Sequence, residues 1–279
     1  MKEKSQNLLT SDDYCKLYRI YSKHYNFNGV TLSGGEPLVR NDCVEIAEKL
    51  YKNGAKITLV TNGYLLDKKI EICKYINRIN LSIHTLDPNN YEKIVCVKNT
   101  YSKVINNIKK VRELYPNIEI RLNVTLVKDV NFSDEELTNL IEFSRKIKSS
   151  IKFTELFPSN QEDCVKQEEV IEKLLQYGYS EIGSDNRSKV YEKQNHKIYL
   201  TRCVCSTAKL SKSPIKYCIE TSDLYVNHDG TFMPCRLKKS QINIIQELKN
   251  NNTDEILNKI VIAKRKIKEE ECNKCLEAI

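Results

Sequence analysis

The sequence predicts an α/β protein, a β/α barrel followed by a small appended α+β domain. Two observations carry this expectation. Over roughly the first 160 residues, short apolar runs alternate with longer amphipathic stretches, the order that builds right-handed parallel βαβ units. After about residue 185 the alternation stops, and a hairpin signal and paired cysteines take its place. The expected division is therefore 1–185 for the barrel and 186–279 for the appended domain.

The elements follow in order. Ser11 is a reasonable N-cap for a first helix carrying Leu17, Ile20 and Tyr21 on its apolar side. Strand-like runs follow at Val30–Leu32, Ile57–Val60, Ile79–Ile83, Ile118–Val124 and Ile151–Leu156, with helical patterns at Cys43–Lys52, Lys68–Tyr75, Tyr101–Leu114 and Asp134–Ile147. Five strands with interleaved helices make an open or closed barrel rather than a sandwich. Ser33–Pro37, Thr61–Gly63, Ser82–Asp87 and Glu155–Pro158 then fall at the C-terminal strand ends, where barrel sites assemble. Further on, Asn227-His228-Asp229-Gly230 lies between Ser222–Val226 and Thr231–Pro234, a strong hairpin signal. A polar stretch over Gln246–Asn252 precedes a helix from about Thr253 to Lys268.

The 279 residues carry 40% hydrophobic and 29% charged side chains, an ordinary globular balance. No run of apolar residues is long enough to span a membrane, and Met1–Asn7 lacks the apolar core of a secretory signal, so a cytoplasmic protein is expected. The formal charge of +8 comes from dispersed lysines without an arginine-rich run, which argues against a nucleic-acid partner.

Eleven cysteines in a reducing compartment do not read as a disulfide framework. Cys15, Cys43, Cys73, Cys96 and Cys164 stand singly and read as packed or incidental thiols, while Cys203 and Cys205 have no clear partner spacing. Cys218 and Cys235 flank the hairpin, and Cys272-Asn273-Lys274-Cys275 closes the chain. Four thiols in two pairs suit a tetrahedral zinc or an iron–sulfur site. His196 reads as a packed or surface histidine. In Gly34-Gly35-Glu36-Pro37, two of the chain's eight glycines meet a carboxylate and a rigid exit. Such a loop either brings backbone close to a ligand or simply makes a tight βα turn.

These motifs resemble the radical SAM superfamily, in the subgroup that includes the GTP 3′,8-cyclase of molybdenum-cofactor synthesis. Val30–Arg40 is similar to the family's GGEP segment, Val60–Gly63 to its TNG turn, Asn80–Asp87 to its fourth-strand serine segment, and Phe153–Pro158 to its sixth-strand exit. The resemblance implies a partial (β/α)6 TIM-like barrel lacking its first strand. It also implies that Gly34, Gly35, Glu36 and Pro37, with Thr61 and Asn62, border S-adenosylmethionine. Ser82 would face its ribose or carboxylate and Phe157 its adenine, while Asn123 and Arg121 would point toward substrate.

Cys218, Cys235, Cys272 and Cys275 resemble the ligand set of a twitch domain, the half-length relative of the SPASM domain, which implies an auxiliary 4Fe–4S cluster. The family's C-x3-C-x2-C for the cluster that cleaves S-adenosylmethionine is not in this chain, so that cluster is expected only in an N-terminally longer form. The implied activity is cleavage of S-adenosylmethionine to a 5′-deoxyadenosyl radical and hydrogen abstraction from a small molecule or peptide, giving dehydrogenation or cross-linking. Flavodoxin or ferredoxin would donate electrons. A metal-binding relic without catalysis is the second expectation. GTP cyclisation is the third, disfavoured because Thr221–Tyr225 holds no arginine where the cyclase places them, and because the chain ends Leu276–Ile279 without the cyclase's diglycine.

Overall fold

The computed structural model describes residues 8–27, 29–98, 100–156, 161–184, 187–202, 224–233 and 241–269. Its larger unit, residues 29–47 and 56–203, is an α/β layer built on an eight-stranded sheet. In chain order the strands are β1 (Val30–Leu32), β2 (Ile57–Thr61), β3 (Arg78–Ser82), β4 (Glu119–Leu126), β5 (Ser150–Glu155), β6 (Ser180–Ser184), β7 (Ser188–Lys193) and β8 (His196–Thr201). Their order across the sheet is β1-β2-β3-β4-β5-β8-β7-β6. The pairs from β1 to β5, and β5 with β8, are parallel. The β8–β7 and β7–β6 pairs are antiparallel.

Period-two burial explains why most of these runs become strands. Ile57 and Leu59, Ile79 and Leu81, Ile120 to Leu126 at every second residue, Ile151 and Phe153, and Ile198 and Leu200 are all buried. Each such side chain contributes about 1.5–3 kcal/mol on leaving water. The crossover helices are α2 (Cys43–Lys52), α3 (Pro88–Val95), α4 (Tyr101–Leu114), α5 (Asp134–Lys146) and α6 (Gln167–Gln176). They bury Ile46 and Ala47, Tyr91, Val104, Ile108 and Val111, Leu137, Leu140 and Ile141, and Val170 and Leu174 in turn. The alternate strand positions form the other, inner face. Thr58, Arg78, Asn80, Ser82, Arg121, Asn123, Lys152, Thr154 and Tyr199 there are half-buried and mostly polar.

Several expectations need correction. Lys68–Tyr75 is not one helix: it divides at Lys69 into two 3-10 turns, Leu66–Lys68 and Ile70–Lys74, and the Lys69 ammonium binds the carbonyl of Arg40. Helices α3 and α6 went unforeseen. The sheet also continues past residue 185 through the hairpin β7–β8, whose turn places Gln194 and Asn195 at φ 50° and 63°. Two successive left-handed residues make the primed turn that matches strand twist.

The second unit comprises residues 1–28, 48–55 and 204–279. It contains α1 (Ser11–His24), a small antiparallel sheet of β9 (Tyr225–Val226), β10 (Thr231–Met233) and β11 (Ile242–Asn243), and helices α7 (Ile245–Lys249) and α8 (Thr253–Glu269). The first helix thus groups with the C-terminal segment, not with the expected 1–185 barrel. The physical reason is its apolar side: Leu17, Ile20 and Tyr21 share one buried cluster with Phe232, Ile245, Leu248, Ile256 and Ile260. The N-cap of α1 is Thr10, one residue before the expected Ser11, in a reciprocal capping box with Asp13. The expected hairpin is present, with Asn227 donating to the Thr231 carbonyl at 2.8 Å. Gly230 has φ 78°, and a Cβ there would lie 2.8 Å from Ile245 Cβ. The helix expected over Thr253–Lys268 is present as α8, and α7 covers the first residues of the polar stretch Gln246–Asn252.

Candidate functional site

The loop after β1 is fixed by its carboxylate. Glu36 Oε1 accepts from the Leu38 amide at 3.1 Å and from Thr61 Oγ1 at 2.8 Å, and Oε2 accepts from the Asn62 amide at 2.8 Å. The side chain therefore staples the exit of β1 to the exit of β2, and Pro37 opens a 3-10 turn directly behind it. This carboxylate is occupied within the fold, which leaves Gly34 and Gly35 as the open part of the loop. A Cβ built on either glycine meets nothing within 4 Å among the described residues. A backbone strip facing free space beside a rigid staple can receive an amino-acid-like group through its amides and carbonyls.

The turn after β2 is closed on itself. The Gly63 amide donates to Thr61 Oγ1 at 3.0 Å and the Tyr64 amide to Asn62 Oδ1 at 2.9 Å. Gly63 has φ 80°, and a Cβ would stand 2.7 Å from Leu81 Cδ1 and 3.3 Å from Val104 Cγ1, so only glycine fits. From α4, the carboxamide of Asn107 reaches the carbonyls of Gly63 at 2.9 Å and Tyr64 at 3.1 Å.

Ser82, the last residue of β3, is the register partner of Asn123, midway along β4, on the inner face. Asn123 Oδ1, Asn80 Oδ1 and Arg78 Nε are buried without a hydrogen-bond partner among the described residues. Buried acceptors of this kind normally find donors. Below them, Glu119 bridges Arg78 at 3.5 Å and Arg121 at 3.1 Å. The Arg121 guanidinium also lies 3.9 Å over the Tyr199 ring and reaches Ser150 Oγ at 3.3 Å. Burial first, and the neighbouring Arg78 second, lower the Arg121 pKa. At the β3 exit, His84 Nδ1 accepts from the Thr125 amide at 3.1 Å, and burial depresses its pKa, so the ring is a neutral acceptor.

Phe157, Pro158, Cys203, Cys205, Cys218, Cys235, Cys272 and Cys275 lie outside the described residues. Among the described residues no group of three or more His, Cys, Asp or Glu side chains is arranged to hold a metal ion. Cys15, Cys43 and Cys73 are buried thiols; burial pushes the pKa of Cys43 up to about 11 and of Cys73 up to about 12, which disfavours the thiolate at those two positions. His196, expected to be either packed or on the surface, is packed between Ser144 and Tyr179. No helix among the described residues is long and apolar enough to cross a membrane.

One feature escaped sequence reasoning. A cleft of 680 Å³ beside the rim is lined by Asp87, Asp129, Glu135, Glu136 and Glu169, and also by Lys128. Its carboxylates come from the β3–α3 loop, the β4–α5 segment and α6. Their convergence depends on tertiary structure and leaves no spacing signal along the chain.

Comparison with known proteins agrees with this architecture. Residues 2–143 match the family model described as Radical SAM superfamily. A probable GTP 3′,8-cyclase of Pyrobaculum aerophilum is 28% identical over 254 residues, covering 89% of this chain and 81% of that protein. A probable GTP 3′,8-cyclase of Pyrococcus horikoshii is 28% identical over 280 residues, covering 93% and 86% respectively. Among solved structures, Streptococcus suis SuiB bound to S-adenosylmethionine superposes with a TM-score of 0.64 at 18% identity, covering 85% of this chain. The chain spans 56% of the length of that structure, and the likeness concerns the fold. A mostly parallel part-barrel, a stapled Gly-Gly-Glu-Pro loop at its rim and a family match over half its length together place this chain in the radical SAM superfamily.

Proposed function

We propose that this protein binds S-adenosylmethionine at the rim of the part-barrel and uses it to abstract hydrogen from a small organic molecule or a peptide. The observation that carries this reading is the open Gly34–Gly35 backbone, held by the Glu36 staple and facing free space. Together with a reduced iron–sulfur cluster, bound S-adenosylmethionine supplies one-electron, hydrogen-abstracting chemistry. The chain's own residues bind and orient. Backbone groups of Gly34 and Gly35 take the amino-acid end. Ser82 and the unpartnered Asn123 Oδ1 suit ribose hydroxyls, whose donors would satisfy a buried acceptor. Phe157 would flank the adenine. Thr61 and Asn62 act indirectly, by holding Glu36.

The same reading gives Cys218, Cys235, Cys272 and Cys275 an auxiliary 4Fe–4S cluster, supported by their paired spacing. That cluster would accept the electron left on the substrate, and flavodoxin or ferredoxin would supply the first one. In anaerobically reconstituted protein, Cys218→Ala and Cys275→Ala should each remove the iron bound by the C-terminal segment. Unchanged iron content in both variants would overturn the auxiliary cluster.

A second reading, cyclisation of GTP, is favoured by the names of the relatives and by Arg78, Arg121 and Lys152 on the inner face, cations of the kind that bind phosphate. It is weakened because Arg121 is already engaged by Glu119, Ser150 and Tyr199. The acidic cleft on the rim is also a poor neighbour for a triphosphate. Equilibrium binding of labelled GTP separates the two readings: saturable binding supports cyclisation and its absence supports the first.

A further inference from the structure

We infer that Asn107, on α4, is a positioning residue for the cofactor loop, acting across the turn after β2. The inference rests on the reading of Gly34–Gly35 as the seat of S-adenosylmethionine. Asn107 is 5% exposed, and its single amide nitrogen spends one hydrogen on the Gly63 carbonyl and the other on the Tyr64 carbonyl. Asparagine is a poor residue for a helix interior, and a buried carboxamide must be satisfied. The two carbonyls satisfy its donors, and α4 thereby grips the turn.

The grip is passed on through a short series of hydrogen bonds. Gly63 N–H bonds Thr61 Oγ1, and Tyr64 N–H bonds Asn62 Oδ1. Thr61 Oγ1 and the Asn62 amide then donate to the two oxygens of Glu36, which also accepts the Leu38 amide. Five residues thus connect a helix in the outer layer to the loop carrying Gly34 and Gly35. Among the described residues, the glycines touch nothing on the side a Cβ would occupy. Their orientation is therefore set by Glu36 on one side, and Glu36 is set by the turn that Asn107 holds. Removing Asn107 frees the turn first and the Glu36 carboxylate second, while the strands keep their own ladder.

The test uses the full chain, with Asn107→Ala and, at the far end of the same series, Thr61→Val. Amide hydrogen exchange is followed residue by residue without ligand. In both variants the amides of Asn62 and Leu38, which donate to Glu36, should exchange about tenfold faster while β3 and β4 keep their rates, as local opening requires. Affinity for S-adenosylmethionine should fall about tenfold, and affinity for adenosine, which lacks the amino-acid end, should stay unchanged. Faster exchange confined to residues 63–66 in Asn107→Ala, with Leu38 at its original rate, would overturn the inference. Acceleration of every amide in both variants would also overturn it, because these residues would then hold the fold and not the loop. If the unsubstituted chain fails to bind S-adenosylmethionine, the functional reading falls, and the exchange rates still decide the coupling.

Discussion

At the scale of single residues, Glu36 and His196 are each committed to partners within the fold. Glu36 shows what a motif can and cannot reveal. Its place after two glycines is legible in the sequence, and so is a rim position. Its use as a staple between two strand exits is not, because Thr61 and Asn62 lie 25 and 26 residues away. His196 is a second case. Arg145 Nε donates to the Tyr179 hydroxyl at 3.2 Å, which donates to His196 Nδ1 at 2.7 Å. Ser144 gives its hydroxyl proton to the Ile141 carbonyl at 2.8 Å, so it must accept from His196 Nε2 at 2.6 Å. The ring is thereby held neutral in one tautomer, and burial first, then Arg145, lowers its pKa from 6.5 to about 4.

A depressed histidine pKa means that the unfolded chain binds the extra proton first. Stability from this site is complete above about pH 6.5 and falls as the pH drops toward 4. Allowing for solvent screening, the loss is about 2 kcal/mol. Denaturant unfolding at pH 7 and pH 4.5 should therefore show a smaller difference in His196→Gln than in the unsubstituted chain. Equal pH dependence in the two would contradict a neutral, buried His196.

At the scale of elements, β2 to β5 and α2, α4 and α5 were legible because each has a clean period, and β1 was legible from its short apolar run alone. Other elements were hidden for identifiable reasons. The start of α3 carries a signal that pattern reading passed over: Asp87 caps the Asn90 amide at 2.7 Å, with Pro88 at the first helical position. In β6 every residue is exposed, so that strand has no buried period to detect. The primed turn of β7–β8 uses Gln194 where Asn or Gly is the usual signal. The turn after β2 shows how tightly an element boundary can be specified. Gly63→Ala forces a side chain into a left-handed site 2.7 Å from Leu81. It should destabilise the fold by about 1–3 kcal/mol and lower the thermal midpoint. A midpoint unchanged within a degree would show that the turn relaxes freely.

At the scale of the whole molecule, sequence order and spatial grouping diverge. The amphipathic pattern of α1 announces that the helix has a buried side but not what covers it. Leu17, Ile20 and Tyr21 find their cover among residues 232–260, a pairing that no local window contains. Within the larger unit, the contrast between an apolar outer face and a polar inner face follows directly from period-two alternation in the parallel strands. The strand residues thus forecast where the polar side chains of the candidate site would gather. They did not forecast the acidic cleft, whose five carboxylates come from three separate segments.

The proposed seat of S-adenosylmethionine is the rim loop, and its occupancy can be measured. The most direct measurement is calorimetric titration of S-adenosylmethionine into the anaerobically reconstituted full chain, alongside Gly34→Val. A valine at φ 151° strains the loop and places methyl groups in the space the ligand would fill. A seat at Gly34–Gly35 gives saturable one-site binding by the unsubstituted protein and its loss in the variant, with both proteins equally folded. No saturable binding by the unsubstituted chain, or equal affinity in Gly34→Val, would contradict it.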